Sequence, residues 1–186
     1  MESPLLITEI EAGNRLATKQ LVDNFQVKVY NICFSLLHSV HDAEDVTQEV
    51  FIEVIQNLSK FRGDSELGTW IYRIAVNRSL NFIRKNKKFK WWKQVDDFLS
   101  FSNKDYIEPS ESVQPAERDE ERKMLYRAID ALPENQRIAF TLNKIDELSY
   151  NEVAGIMDLS HAAVESLLHR ARLNLQKSLK KYYNIE

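Results

Sequence analysis

The sequence predicts an all-α protein made of two small helical domains joined by an acidic linker. Three observations predict it. Only four Gly and four Pro occur in 186 residues, and alternating β-branched runs flanked by pairs such as Asn-Gly are absent, so strands find no support. Apolar residues recur at helical spacing in both halves of the chain. Charge inverts between them: Leu67 to Lys93 carries eight Lys or Arg and no acid, whereas Asp96 to Glu121 carries nine acids against Lys104 and Arg118. The net charge of −3 therefore hides a strong segregation. The boundaries read as 1–92, 93–116 and 117–186.

Composition removes several classes. No run of about 18 apolar residues exists, so no membrane span is expected, and the opening MESPLLITEIEAG has neither a basic leader nor an apolar run to make a signal peptide. One cysteine, Cys33, excludes an internal disulfide and fits a reducing cytoplasm. Between Ile32 and Phe34 it reads as core. His38, His41, His161 and His169 lack Glu-x-x-His or Cys partners at metal spacing, and no phosphate loop or nucleophile motif appears. An enzyme, a metal and a cofactor are all unexpected.

Residues 8–38 read as one or two helices broken near Gly13-Asn14, with Leu21, Phe25, Val29, Ile32, Cys33 and Leu36 at helical spacing. A second helix runs from about Asp42 to Leu58, with Val46, Val50, Val54 and Leu58 inward. Its outer face gathers Asp42, Asp45, Glu49, Ile52, Glu53 and Gln56. An exposed Ile among carboxylates suits protein docking, while a solvated acidic face explains the acids as well. Phe61 to Gly68 reads as a loop, broken by two Gly and a polar Asp-Ser centre.

The basic helix follows from about Thr69. At the helical 100° per residue, Leu67, Ile71, Ile74, Ala75 and Phe82 share the buried arc. Trp70, Arg73, Asn77, Asn81, Arg84 and Lys88 share another, about 80° wide. An indole, amides and cations with no acid suit phosphate and base contact, because solvated faces usually mix both signs. Trp91 and Trp92 extend the mixture. Trp70 fits stacking or packing equally. Arg78 falls inside the apolar arc with no evident role.

The acidic segment, interrupted by Pro109 and Pro115, reads as a linker without order of its own. It fits a solubilising tether or an acidic strand that occupies a basic channel in a partner. Its length allows the domains to pack together or to tumble independently. Beyond it, Met124 to Leu132 is one helix, and Pro133 suits the first turn of the next, to about Ile145. Ser149 to Glu152 forms a capping box over a short helix ending near Met157-Asp158. Asp158-Leu159-Ser160 then turns into a long last helix, which makes a helix-turn-helix. Val164, Leu167, Leu168, Ala171 and Leu175 form its inner stripe. Ala162, Glu165, Ser166, His169 and Arg170 face outward, where such a motif meets the major groove. Arg172, Lys177, Lys180 and Lys181 lie further along.

These fragments, in this order, resemble the bacterial extracytoplasmic-function sigma factors, the small members of the sigma-70 family. Asp42-Ala-Glu-Asp-Val-Thr-Gln-Glu-Val-Phe51 resembles the family's acidic helix opening. Phe61-Arg-Gly-Asp and Thr69-Trp-Ile-Tyr-Arg-Ile-Ala-Val-Asn77 resemble its promoter-melting helix. Leu132-Pro-Glu-Asn-Gln-Arg137, Leu148-Ser-Tyr-Asn-Glu-Val-Ala154 and Leu168-His-Arg-Ala-Arg172 resemble its C-terminal module. The resemblance covers nearly the whole chain. It implies a region 2 domain at 1–92, which docks on the RNA polymerase clamp and opens the −10 element, and a region 4 domain at 117–186, which reads the −35 element and holds the flap.

The implied clamp contacts are Asp42, Asp45, Gln48, Glu49 and Ile52. The implied −10 contacts are Arg62, Gly63, Asp64, Ser65, Trp70, Arg73, Asn77, Arg84, Lys85 and Lys88. The implied −35 contacts are Lys144, Ser160, Ala162, Glu165, Ser166, His169 and Arg170. Implied partners are the clamp and flap of core RNA polymerase, promoter DNA and an anti-sigma factor, with no small-molecule substrate; the implied location is the cytoplasm, at the membrane where a membrane-anchored anti-sigma factor holds the protein. Departures stand at Glu165, where the family often carries Lys or Arg, at Leu167, where it often carries Arg, and at Asn143, where it can carry Arg; Lys144 is the cation beside the last. The competing reading is a stand-alone helix-turn-helix regulator of duplex DNA, which leaves residues 1–92 without a role. A basic membrane-surface helix fits less well, because the Trp, Asn and Arg stripe lacks a strongly apolar partner face.

Overall fold

The computed structural model describes the backbone of residues 3–86 and 115–183 and the side chains of residues 5–86 and 123–180. Eight α-helices and no strand occur among the described residues: α1 Ser3–Glu11, α2 Arg15–Leu37, α3 Val40–Asn57, α4 Leu67–Asn86, α5 Pro115–Asp130, α6 Glu134–Lys144, α7 Tyr150–Met157 and α8 His161–Tyr183, with a single 3-10 turn at Leu58–Lys60.

Helix ends follow local chemistry. Asn14 caps α2 by accepting from the Leu16 and Ala17 amides, which places the break where Gly13-Asn14 predicts it. Ser39 caps α3 through the Asp42 amide, so that helix begins at Val40, two residues before the expected start. The basic helix begins at Leu67, also two residues early. Pro115, expected as a breaker, stands instead at the first position of α5, where its missing N–H costs nothing. The linker expected at 93–116 lies, apart from this start of α5, outside the described residues, as do Lys88, Trp91, Trp92 and the side chain of Lys181. Ser149 and Glu152 form both bonds of the capping box on α7. The Ser160 hydroxyl accepts the Ala163 amide at 3.2 Å to open α8.

The first four helices pack around Leu21, Val29, Ile32, Cys33, Val46, Val50, Val54, Leu58, Ile71 and Ala75, all fully buried or nearly so. Ile74 and Phe82, expected inside, are half-buried. In the second unit Ile138, Leu142, Val153, Ile156, Val164 and Leu168 belong to the same continuous apolar cluster, while Ala128, Ile129, Leu132, Ala171 and Leu175 form a smaller one. The two predicted domains are thus docked on each other, one of the two arrangements that the linker length permits. Burial also pushes the Cys33 thiol up, consistent with an inert core cysteine.

Glu147, between α6 and α7, is exposed with φ 57°. A side chain there crowds the following carbonyl at roughly 1–2 kcal/mol, while glycine costs about 0.5–1 kcal/mol of chain entropy. Glu147→Gly is expected to stabilise the protein by about 0.5–1 kcal/mol, seen as a higher urea midpoint at unchanged slope.

Candidate nucleic-acid interface

The basic helix α4 is held from below by Leu67, Ile71 and Ala75, which turns its polar arc outward. Asn77, Asn81, Arg84 and Lys85 are exposed there, whereas Trp70 and Arg73 are half-buried. Trp70 packs on Phe61 with ring centroids 5.5 Å apart, so its indole faces the 61–66 loop. Arg78 has a partner that its place in the apolar arc did not reveal. Its guanidinium Nε donates to Glu53 on α3, and Nη1 lies 3.5 Å from Glu49. One of the candidate clamp carboxylates, Glu49, is therefore tied to the basic helix α4.

The loop before α4 forms one wall of a cavity of about 780 Å³, with Arg62, Gly63, Ser65 and Glu66 around it and Phe25, Phe61 and Tyr72 supplying ring surface. Phe25 and Tyr72 meet edge to face at 6.1 Å. Aromatic walls with a few polar groups suit a planar ring taken out of a base stack. Asp64 and Asn77 do not line this cavity. Glu152 of α7 does, so the second unit reaches its edge.

On α3, Asp45, Gln48, Glu49 and Ile52 are exposed, Ile52 at 56%, and Asp42 is half-buried at the helix start. In the second unit, Ser160, Ala162, Glu165, Ser166, His169 and Arg170 are all exposed, as is Lys144. Val164, Leu167, Leu168, Ala171 and Leu175 are buried beneath them, so Leu167 packs. Asn143 donates to the Leu148 carbonyl at 2.7 Å and fastens the α6–α7 loop.

The seam between the units engages part of the basic arc. Arg73 donates from Nη2 to the Gly155 carbonyl at 2.6 Å and lies 3.6 Å from Asp158. Arg84 donates to Glu134 at 2.6 Å. Lys28 donates to the Asp146 carbonyl at 2.7 Å, and Ser35 to its carboxylate at 2.8 Å. His38 meets Asp130 at 3.2 Å, with Arg137 3.9 Å from the same oxygen. Gly155 permits the close approach of α7 to α4: a Cβ there would stand 2.9 Å from the Thr69 methyl. None of these pairings was legible in sequence, since the partners lie as far apart as 118 residues. The one local sign was a glycine inside a helical pattern.

Fold and surfaces define a two-module helix-turn-helix protein with a segregated basic helix. The Sigma-70 region 2 family matches residues 21–89 and the Sigma-70 region 4 family residues 122–175. The ECF RNA polymerase sigma-E factor of Escherichia coli (strain K12) is 36% identical over 173 residues, covering 90% of this chain and 89% of that protein. The RNA polymerase sigma-H factor of Pseudomonas aeruginosa is 30% identical over 181 residues, covering 94% and 92%. CnrH, solved with the cytosolic domain of CnrY, shares the fold at TM-score 0.66 and 24% identity, over 95% of this chain and 96% of that one. RpoE, solved with the anti-sigma factor NepR from Bartonella quintana, does so at TM-score 0.57 and 22% identity, over 87% and 96%. The chain belongs to the extracytoplasmic-function RNA polymerase sigma factors of the sigma-70 family.

Proposed function

We propose that this sigma factor binds core RNA polymerase through the α3 face of Asp42, Asp45, Gln48, Glu49 and Ile52. It opens the −10 element with the 61–66 loop and α4, and reads the −35 element with Lys144, Ser160 and the outward face of α8. The observation that carries the reading is the presence of both modules, in family order, with one exposed helix face each. The protein catalyses no reaction itself and needs no cofactor or metal; it changes where polymerase starts. Its place of work is the cytoplasm, and an anti-sigma factor is a further partner expected from family membership. The stand-alone regulator is disfavoured because it leaves the region 2 module unused.

Geometry adds a requirement. The −10 and −35 elements lie about 25 base pairs apart, roughly 85 Å of duplex at 3.4 Å per pair. With α4 in contact with α7 the docked protein cannot reach both. The modules separate to work, and the 28 residues 87–114, at 3.3–3.6 Å each, span at most roughly 90–100 Å. The docked arrangement is the free form.

Purified protein is expected to bind core polymerase tightly and free duplex promoter weakly. Specific duplex binding without polymerase affinity would instead favour the stand-alone regulator. Asn77→Ala is expected to lower open-complex yield roughly 5- to 10-fold, the loss of one hydrogen bond of about 1–1.5 kcal/mol, with polymerase affinity unchanged. Permanganate footprinting of the opened strand reads the difference, and a wild-type footprint would remove Asn77 from the −10 contacts.

A further inference from the structure

Asp146 lies in the α6–α7 loop and is buried in the seam against α2. Its Oδ1 accepts from Ser35 at 2.8 Å and its backbone carbonyl from Lys28 at 2.7 Å. Its Oδ2 is buried with no hydrogen-bond partner among the described residues. Both side-chain donors belong to the other module, so separating the modules returns the carboxyl to water. We propose that docking of the C-terminal module on α2 takes up a proton at Asp146, so that acidification locks this sigma factor shut. The inference rests on the reading that the docked arrangement is the free, DNA-masked form.

The physical reason is desolvation. Burial pushes the Asp146 carboxyl up from 3.8 to about 6, against the opposing pull of the Ser35 hydroxyl and the Lys28 ammonium. Among the described residues, these groups surround it. Lys28, Ser35 and the Cys33 thiol come from α2. Glu152 comes from α7 and shares the field of Lys28. Further along the seam His38 faces Asp130 and Arg137. Above pH 6 the docked form holds an ionised carboxylate with one oxygen unserved. As pH falls through 6 the docked form binds a proton that the open form, at its ordinary value, does not. Docking therefore tightens with acid and levels off below pH 3.8, where both forms are protonated. From these two values the docking constant rises about 4-fold between pH 7.5 and 5.5, and about 10-fold by pH 5.0.

The test is energy transfer between dyes on Asn24→Cys and Gln176→Cys, both exposed, in the full chain; Cys33 is fully buried and stays unlabelled. Transfer is expected to rise as pH falls from 7.5 to 5.0. Asp146→Asn, a neutral isostere, is expected to abolish that dependence and to stay docked at pH 7.5. His38→Asn is expected to keep the Asp146 response. If Asp146→Asn does not fold, Ser35→Ala replaces it: without the hydroxyl that holds the carboxylate down, the midpoint moves to higher pH. A flat wild-type profile, an Asp146→Asn profile that still titrates like wild type, or modules apart at every pH overturns the inference. In each case promoter-directed transcription with core polymerase still tests the sigma-factor reading separately.

Discussion

Replacing Gly155 with leucine is expected to unseat the C-terminal module from α4 and raise the fraction of separated protein roughly 5- to 150-fold. The site is overdetermined against any side chain. A Cβ alone would lie 2.9 Å from the Thr69 methyl, too close for two carbons, so Thr69 or one of the two helices must shift. Overpacking of this kind costs about 1–3 kcal/mol, and here it falls on the docking equilibrium instead of either core. Inside α7 the same change is favourable, because glycine is about 1 kcal/mol poorer than a straight-chain residue in a helix. The variant should thus separate its modules while keeping or improving the thermal stability of the second one. Small-angle scattering reads the first effect and calorimetry the second. Faster capture by core polymerase would follow if docking is the state that polymerase must open. A compact Gly155→Leu protein would show that α4 and α7 are not held by close approach.

Helix identity, most helix ends and most of the buried stripes were legible because each is set by neighbours in sequence. Few Gly and Pro, the capping box at Ser149 to Glu152, and the stripe from Val164 to Leu175 act over one to three turns. The outward face of α8 came free with its inward one. On α4 the same reasoning placed the arc correctly but overstated its exposure, since Trp70 meets Phe61 and Arg73 meets α7. Arg78 had no role from spacing because its partners, Glu49 and Glu53, stand on another helix. The seam was invisible for the same reason: Lys28, Ser35, His38, Asp130, Glu134 and Asp146 have ordinary surface-like residue types, and nothing local says which of them will be buried. The 61–66 loop was readable as a break, but not that Phe25 and Tyr72 would give it a cavity.

Arg73→Ala is expected to move two measurements in opposite directions. In the free protein the guanidinium bridges the modules through the Gly155 carbonyl at 2.6 Å. Its second contact, 3.6 Å to an Asp158 carboxylate that is 85% exposed, adds little in water. A hydrogen bond from a charged donor contributes about 1.5–3 kcal/mol, so its loss should favour separated modules roughly 10- to 150-fold. In the promoter complex the same group is proposed to hold a phosphate. There its loss should weaken binding across all promoter sequences alike and reduce the salt slope by about 0.7, the single-strand value per phosphate. A residue that served only to join the modules would open the free protein and leave the salt slope unchanged. A residue that served only DNA would leave the scattering profile unchanged. Both shifts in one variant would mean that docking uses a DNA contact as its own fastener, so that the free protein masks its promoter surface with the charge it later spends on the promoter. Arg84, joined to Glu134 at 2.6 Å but exposed on both sides, provides the graded comparison: the same two effects, each smaller.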